Sequence, residues 1–233
     1  MMNTNFKSLA IIAATNLTLS AVASAVLIMG TTIESATVGL NPEMAPEKAI
    51  NGAGLPGGVP SLSGSHDNTF SNNWWSGWDG AVTEWQLTVD LEGNYGLDQV
   101  HVWNYREGCC SGRGLQNVEI WVASDEDEGN LTKLITDGTG LYDNGSGDFL
   151  FPEAPSDGDY FGFDLDFSGV TNVTLLDDVR LFRLDGGSSL WGGGEIQGGL
   201  AEIQFGGTPI PEPSAAILAL VGLGGLMMRR RKA

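Results

Sequence analysis

Eight short runs of strand-forming residues, separated by turn chemistry, fill residues 84–205 and restrict this chain to folds made of many short strands. The runs cover residues 84–91, 97–105, 118–124, 133–136, 161–167, 172–176, 179–184 and 200–205. Between them stand Gly93-Asn94, Asp137-Gly138, Asp143-Asn144-Gly145, Asp157-Gly158 and Asp185-Gly186-Gly187, residue types that turn the chain at little steric cost. Inside the runs apolar residues alternate: Val118, Ile120 and Val122 share one face, and Val100 and Val102 repeat the arrangement. No long 3.6-residue stripe interrupts them, so the expectation is an all-β fold, a jelly-roll β-sandwich. Residues 37–60 are rich in Gly and Pro without periodicity and read as an extended lead-in to a sandwich over 61–208.

The two ends follow different rules. One cation, Lys7, precedes an apolar run with small residues at Ala23 and Ala25, the pattern of a secretory signal with a helical apolar core, read over residues 1–36. Cleavage after Ala25 and after Ala36 both fit. At the other end Pro211-Glu212-Pro213 leads into the apolar stretch 215–228, read as a transmembrane helix, and Arg229, Arg230, Arg231 and Lys232 follow at once. Fourteen residues make a marginal span. The basic cluster would hold the cytoplasmic side, leaving the preceding domain outside. In this order, motif, span and basic end over 209–233 resemble a PEP-CTERM sorting tail. The resemblance implies export, transient anchoring in the membrane, recognition by an exosortase near the Pro-Glu-Pro, and release to the surface of a Gram-negative cell that makes exopolysaccharide.

Without those ends, 27 acids face six cations: Lys48, Arg106, Arg113, Lys133, Arg180 and Arg183, a net charge near −21. Such a field repels phosphate backbones and argues against nucleic acid as a partner. It also supplies the hard oxygen ligands that calcium prefers. The acidic stretch Asp125-Glu126-Asp127-Glu128 lacks EF-hand spacing and reads as a solvated turn. The only two cysteines, Cys109 and Cys110, are adjacent. A disulfide between them closes no long loop; free thiols and pairing between chains are the alternatives. His66 and His101 stand at no zinc-ligand spacing to them.

Several segments, taken in order, resemble the discoidin or coagulation-factor C-type domain, a galactose-binding-like module. They are Ala49-Ile50-Asn51-Gly52, Trp74-Trp75-Ser76, residues 85–91 and 95–105, Arg113-Gly114 leading into 118–125, and the closing 200–205. The resemblance implies carbohydrate binding by loops at one end of the sandwich. There Trp103, Asn104, Tyr105, Arg106, Glu107 and Arg113 gather the aromatic surface, amide, cation and carboxylate that a sugar needs. The plainer reading makes Trp103 and Tyr105 core residues and Arg106–Glu107 a surface ion pair. Trp74, Trp75 and Trp78 form a second aromatic group, either stacking surface or core plug, and Trp191 reads as a loop-tip anchor or a lid. The resemblance further implies a structural Ca2+ held by Asn51, Asp67, Thr69 and Glu202; otherwise Glu202 faces solvent at an edge. No nucleophile elbow, zinc-protease helix, P-loop or dinucleotide fingerprint is present, so the chain reads as a non-catalytic binder. A structural or adhesive matrix protein, and below it a small glycan hydrolase with an unassigned carboxylate pair, are the other readings.

Overall fold

A computed structural model describes residues 25–37, 42–75, 84–187, 189–192 and 198–211; residues 1–24 of the expected signal segment, most of the sorting tail and Trp78 lie outside them, while residues 25–36 of that segment enter the sandwich as strands. Ten antiparallel strands form the body: β1 (Val26–Leu27), β2 (Thr32–Ala36), β3 (Trp74–Trp75), β4 (Trp85–Asn104), β5 (Asn117–Ala123), β6 (Thr132–Lys133), β7 (Phe149–Leu150), β8 (Phe163–Asp164), β9 (Val179–Gly187) and β10 (Gly199–Pro209). The central order is β1-β10-β4-β9-β5-β6, with β2 and β8 on β4, β3 on β10 and β7 on β5. No helix among the described residues is long and apolar enough to cross a membrane.

Among the described residues β4 joins the two halves of the sandwich. Its first half pairs with β2 and β9 and its second half with β10 and β8, so the chain changes sheets within a single 20-residue strand. The sequence predicts two strands with a turn at Gly93-Asn94; the structure makes that turn a corner. Glu92 takes φ 58 and its N–H donates to Asp90 Oδ1 at 2.7 Å, shifting the register on β9 between Asp90 and Tyr95. Beyond the corner Tyr95 and Gly96 pair at once with Pro209 and Thr208, and Ile210 N–H donates to Asn94 O at 2.8 Å. Pairing with β10 therefore keeps the chain extended where the turn residues would let it reverse.

Inside the sandwich, Leu87, Val89 and Leu91 of β4, Val118, Ile120 and Val122 of β5, and Ile203 and Phe205 of β10 belong to one core. Phe182 of β9 meets Phe205 edge-to-face at 5.1 Å, joining the two sheets through their inner faces. Val100 and Val102 point into this core, so His101 and Trp103 lie on the outer face of their sheet. That face is roofed: Leu55, Ala154 and Tyr160 pack with Trp103 and Ala201 in a second cluster. Part of the roof comes from the aperiodic stretch before residue 60, which forms 3-10 turns at Pro42–Met44, Pro46–Ala49 and Pro56–Gly58 and buries Met44, Ala49, Ile50 and Leu55.

One expected strand is a 3-10 helix instead, Val173–Asp177. Asn172 accepts from Ile135 N–H at 3.0 Å and donates to Lys133 O at 2.9 Å, so its side chain does the pairing and its backbone is free to turn. Residues 125–128 are also more than a solvated turn. Asp125 and Asp127 hold the turn's own N–H groups, while Glu126 reaches Arg180 at 3.2 Å and Glu128 pairs with Arg183 and accepts from Ser35.

Candidate functional site

The loops at the start of β10 and β5 and the ends of β4 and β9 share one end of the sandwich. The stretch expected to hold a sugar lies here, but most of it is sunk beneath the surface. Trp103, Asn104 and Tyr105 have no exposed area and Arg106 is 2% exposed. Trp103 packs in the outer cluster and its indole N–H donates to Gly64 O at 3.1 Å. Asn104 donates to Leu115 O and Pro152 O and accepts from Tyr105 and Leu115 N–H, using the full capacity of its amide to join three segments. The guanidinium of Arg106 donates to the carbonyls of His66, Pro155 and Gly158 and lies over the Tyr160 ring at 5.8 Å. The expectation that these four side chains contact a sugar is thus corrected: no face of them is open to a ligand, and they tie the loops together. The Arg106–Glu107 surface pair is not formed either; Glu107 pairs with Arg113.

Trp74 is buried in the main core, and Trp75 with Met44, Tyr105 and Phe70 in a third cluster, so both act as core plugs. Burial pushes the Tyr105 hydroxyl far above its ordinary pKa, keeping it a donor, and it donates to Glu107 Oε2 at 2.9 Å. Arg113 donates to the same oxygen at 2.8 Å, with its guanidinium 5.1 Å from the Trp75 ring centre. Glu107 is thereby fixed from below by a phenol and a cation that themselves rest on a buried tryptophan.

Above this layer the chain makes two consecutive tight turns. Cys110 N–H donates to Glu107 O at 3.2 Å and Arg113 N–H to Cys110 O at 3.2 Å. At the tip Cys109 and Cys110 are bonded to each other, which resolves the three alternatives in favour of a vicinal disulfide. Cys109 is exposed and Cys110 half-buried. Ser111 Oγ donates to Glu153 Oε1 at 3.0 Å, and Gly192 N–H to Gly112 O at 2.7 Å, which brings the half-buried Trp191 alongside. A side chain on Gly112 would press on the Gly192 backbone at 3.1 Å, so the close approach depends on glycine. Among the described residues, the one group of three His, Cys, Asp or Glu ligand atoms within 4.8 Å of each other is Glu107, Cys109 and Cys110. Of the residues expected at the site, Glu107 and Arg113 belong to this turn, while Trp103, Asn104, Tyr105 and Arg106 lie buried beneath it.

The expected calcium ligands sit on the flank. Glu202 is fully buried; both its oxygens accept from Gly52 N–H, at 3.0 and 3.1 Å, and Gln204 donates to it. Burial raises its pKa to about 8, and no cationic side chain pairs with it among the described residues. It does not face solvent, which removes the alternative reading. Asn51 and Asp67 are exposed and accept from the N–H groups of Ala53 and Thr69 in their own turns. The loop 51–54 touches both ends of the set, since Gly54 O accepts from Asp67 N–H at 2.9 Å. A desolvated carboxylate without a counter-charge, beside carbonyl-rich turns, is a donor set that fits a hard cation.

The two histidines lie elsewhere. His66 Nδ1 is 2.8 Å from Asp67 O, with its pKa lowered by burial, and His101 lies between Asp164 Oδ1 at 2.6 Å and Phe161 O at 2.7 Å.

No protein-family model and no curated protein sequence matches the chain. Solved structures do, and the fold they share with it is an antiparallel β-sandwich. A fragment carrying a chitobiase name from Bacteroides thetaiotaomicron matches with TM-score 0.52 and 13% identity, over 84% of this chain and 99% of that one. An F5/8 type C domain from Bacteroides fragilis follows at TM-score 0.49 and 17% identity, covering 80% and 97% of the two chains. The family 32 module of NanJ from Clostridium perfringens, solved with galactose, gives 0.45 and 14% over 75% and 92%. A family 89 glycoside hydrolase from Clostridium perfringens is matched at 0.43 and 19% identity over 80% of this chain, but the chain spans only 16% of that enzyme's length.

Proposed function

We propose that this chain is an exported, exosortase-sorted surface protein whose sandwich binds carbohydrate without chemical turnover. The observation that carries the binding reading is the exposed turn at one end of the sandwich. A carboxylate fixed by Tyr105 and Arg113, a serine–carboxylate pair at Ser111 and Glu153, and a half-buried Trp191 are drawn together there by hydrogen-bonded loops. Sugars are taken by such mixtures of polar groups held on a rigid frame with an apolar surface beside them. A sugar-binding function also agrees with the galactose complex of one structural neighbour.

Charge narrows the ligand. Of the six cations between the ends, Arg106 is used by loop carbonyls, and Arg113, Lys133, Arg180 and Arg183 by internal carboxylates. The surface offered to a ligand is therefore acidic, and like-charge repulsion disfavours uronic or sialic acids. An uncharged or amino-bearing glycan, from the cell's own exopolysaccharide or the surroundings, is the class that fits. Calcium, held by Glu202 with oxygens of Asn51, Asp67 and Thr69, would fix the 51–54 loop to β10 as a structural ion; it takes no part in contacting sugar. Export and sorting rest on the motif, apolar stretch and basic cluster at the chain's end.

A glycan array probed with the full chain, with and without a calcium chelator, tests the binding reading. Capture by neutral or amino sugars supports it. Silence in both conditions sinks it in favour of a matrix scaffold, and release of reducing sugar moves the protein to the hydrolases.

A further inference from the structure

At the sugar-binding end of this sandwich most aromatic side chains that would ordinarily offer a flat apolar face are spent on packing, with Trp191 half-buried. Trp75, Trp103 and Tyr105 are each no more than 1% exposed. What reaches the surface above them is sulfur. Cys109 is exposed at the tip of a turn braced on both sides by backbone hydrogen bonds, and its bond to Cys110 closes a small ring that leaves the turn little freedom. Disulfide sulfur is polarizable and poorly hydrated, the property that makes sulfur a good partner for apolar and C–H surface. Beside it stands an acceptor held at fixed geometry: a carboxylate oxygen of Glu107 and both sulfurs lie within 4.8 Å of one another. Glu107 accepts from Tyr105 and Arg113 through Oε2, and its side chain remains 19% exposed.

We infer that the Cys109–Cys110 disulfide is itself a binding element, an apolar pad that receives the C–H face of an uncharged pyranose while Glu107 accepts from one of its hydroxyls. The pairing follows from size. A hexose ring presents its axial C–H groups and its equatorial hydroxyls a few ångströms apart, the separation at which this turn offers sulfur and carboxylate. Pre-organisation adds to it, because neither the ring of the disulfide nor the buttressed carboxylate has to be ordered on binding. The buried layer of Tyr105, Arg113 and Trp75 then acts through Glu107 as positioning residues. The inference rests on the carbohydrate reading above and specifies the surface that performs it.

The test measures binding of methyl β-galactoside and of N-acetylglucosamine oligomers to the full chain by saturation-transfer NMR and calorimetry, before and after reduction with a phosphine. Near-UV circular dichroism and thermal melting follow the fold in parallel. The expected result is a loss of affinity of at least tenfold on reduction and in C109A/C110A, with melting of the sandwich retained. Glu107→Gln, which keeps the shape, should weaken binding less. An assay free of any folding question runs the other way: saturating sugar should slow reduction of the disulfide several-fold, with mannitol of equal concentration, an open-chain polyol without a ring face, as the inert control. Unchanged affinity after reduction, or no protection by bound sugar, overturns the disulfide pad while the carbohydrate reading stands. Absence of binding by the oxidised chain to every probe overturns both.

Discussion

At the disulfide end Arg106 is 2% exposed and gives its guanidinium to three loop carbonyls, whereas Arg180 and Arg183 on the flank of β9 keep about 15% of their side chains in water and are matched by carboxylates. The difference follows from what each must hold. Arg106 joins residue 66 to residues 155 and 158, segments with few apolar contacts of their own, and backbone carbonyls are the acceptors that irregular chain offers in plenty. Arg180 and Arg183 fasten one acidic loop to a strand, so side-chain carboxylates suffice: Asp90 and Glu126 for one, Glu128 for the other. A buried cation without a carboxylate partner is the stiffer device, and also the more vulnerable one.

Replacing each in turn sharpens that contrast. Arg106→Met removes charge-assisted bonds and strands buried carbonyls, and should cost about 3 kcal/mol in chemical denaturation, with loss of any glycan binding at that end. A cost below that of Arg180→Met would break the comparison. Arg180→Met leaves Asp90, 6% exposed, without its cation, and should cost about 2 kcal/mol. Glu202 is the mirror case, a buried acid lacking a cation, which its raised pKa of about 8 keeps protonated at neutral pH. In chelator at neutral pH, Glu202→Gln should raise stability by about 1 kcal/mol, since the cost of protonating the carboxylate on folding disappears. Added calcium should then raise the Tm of the natural chain and leave the variant's unmoved; equal shifts would remove calcium from this site. Smallest is Glu126→Gln, whose carboxylate is 76% exposed: about 0.5 kcal/mol at low salt, fading as salt is added.

Much of the fold can be read from residue order because alternation survives wherever a strand buries one face, as in Val118, Ile120 and Val122. It fails where tertiary pairing overrides a local signal. Gly93-Asn94 asks for a reversal, and the arrival of Thr208 and Pro209 beside Tyr95 and Gly96 denies it. The site was less legible for a different reason. Trp103 alternates correctly with Val102, but alternation cannot tell an outer face open to ligand from one roofed by a segment without periodicity, and Leu55 comes from such a segment. Cys109 and Cys110 were visible as neighbours; only the turns on either side show that they meet each other and not a second chain. The signal that could have located the surface was the cluster of turn-forming Gly108, Gly112 and Gly114 around them.

The passage of β4 through both sheets bears on how the molecule assembles. A nascent chain emerges with β4 early and β10 last, yet β10 supplies the neighbour of β4's second half and the partner of β1 and β3. Pairings such as Val100 with Phe205 span about a hundred residues, and closing so long a loop is slow. The set formed by β2, the first half of β4, β9, β5 and β6 pairs without β10, whereas the second half of β4 waits for the last strand. Pulse-labelled hydrogen exchange during refolding should reflect this, with amides before the Glu92 corner protected earlier than those after it.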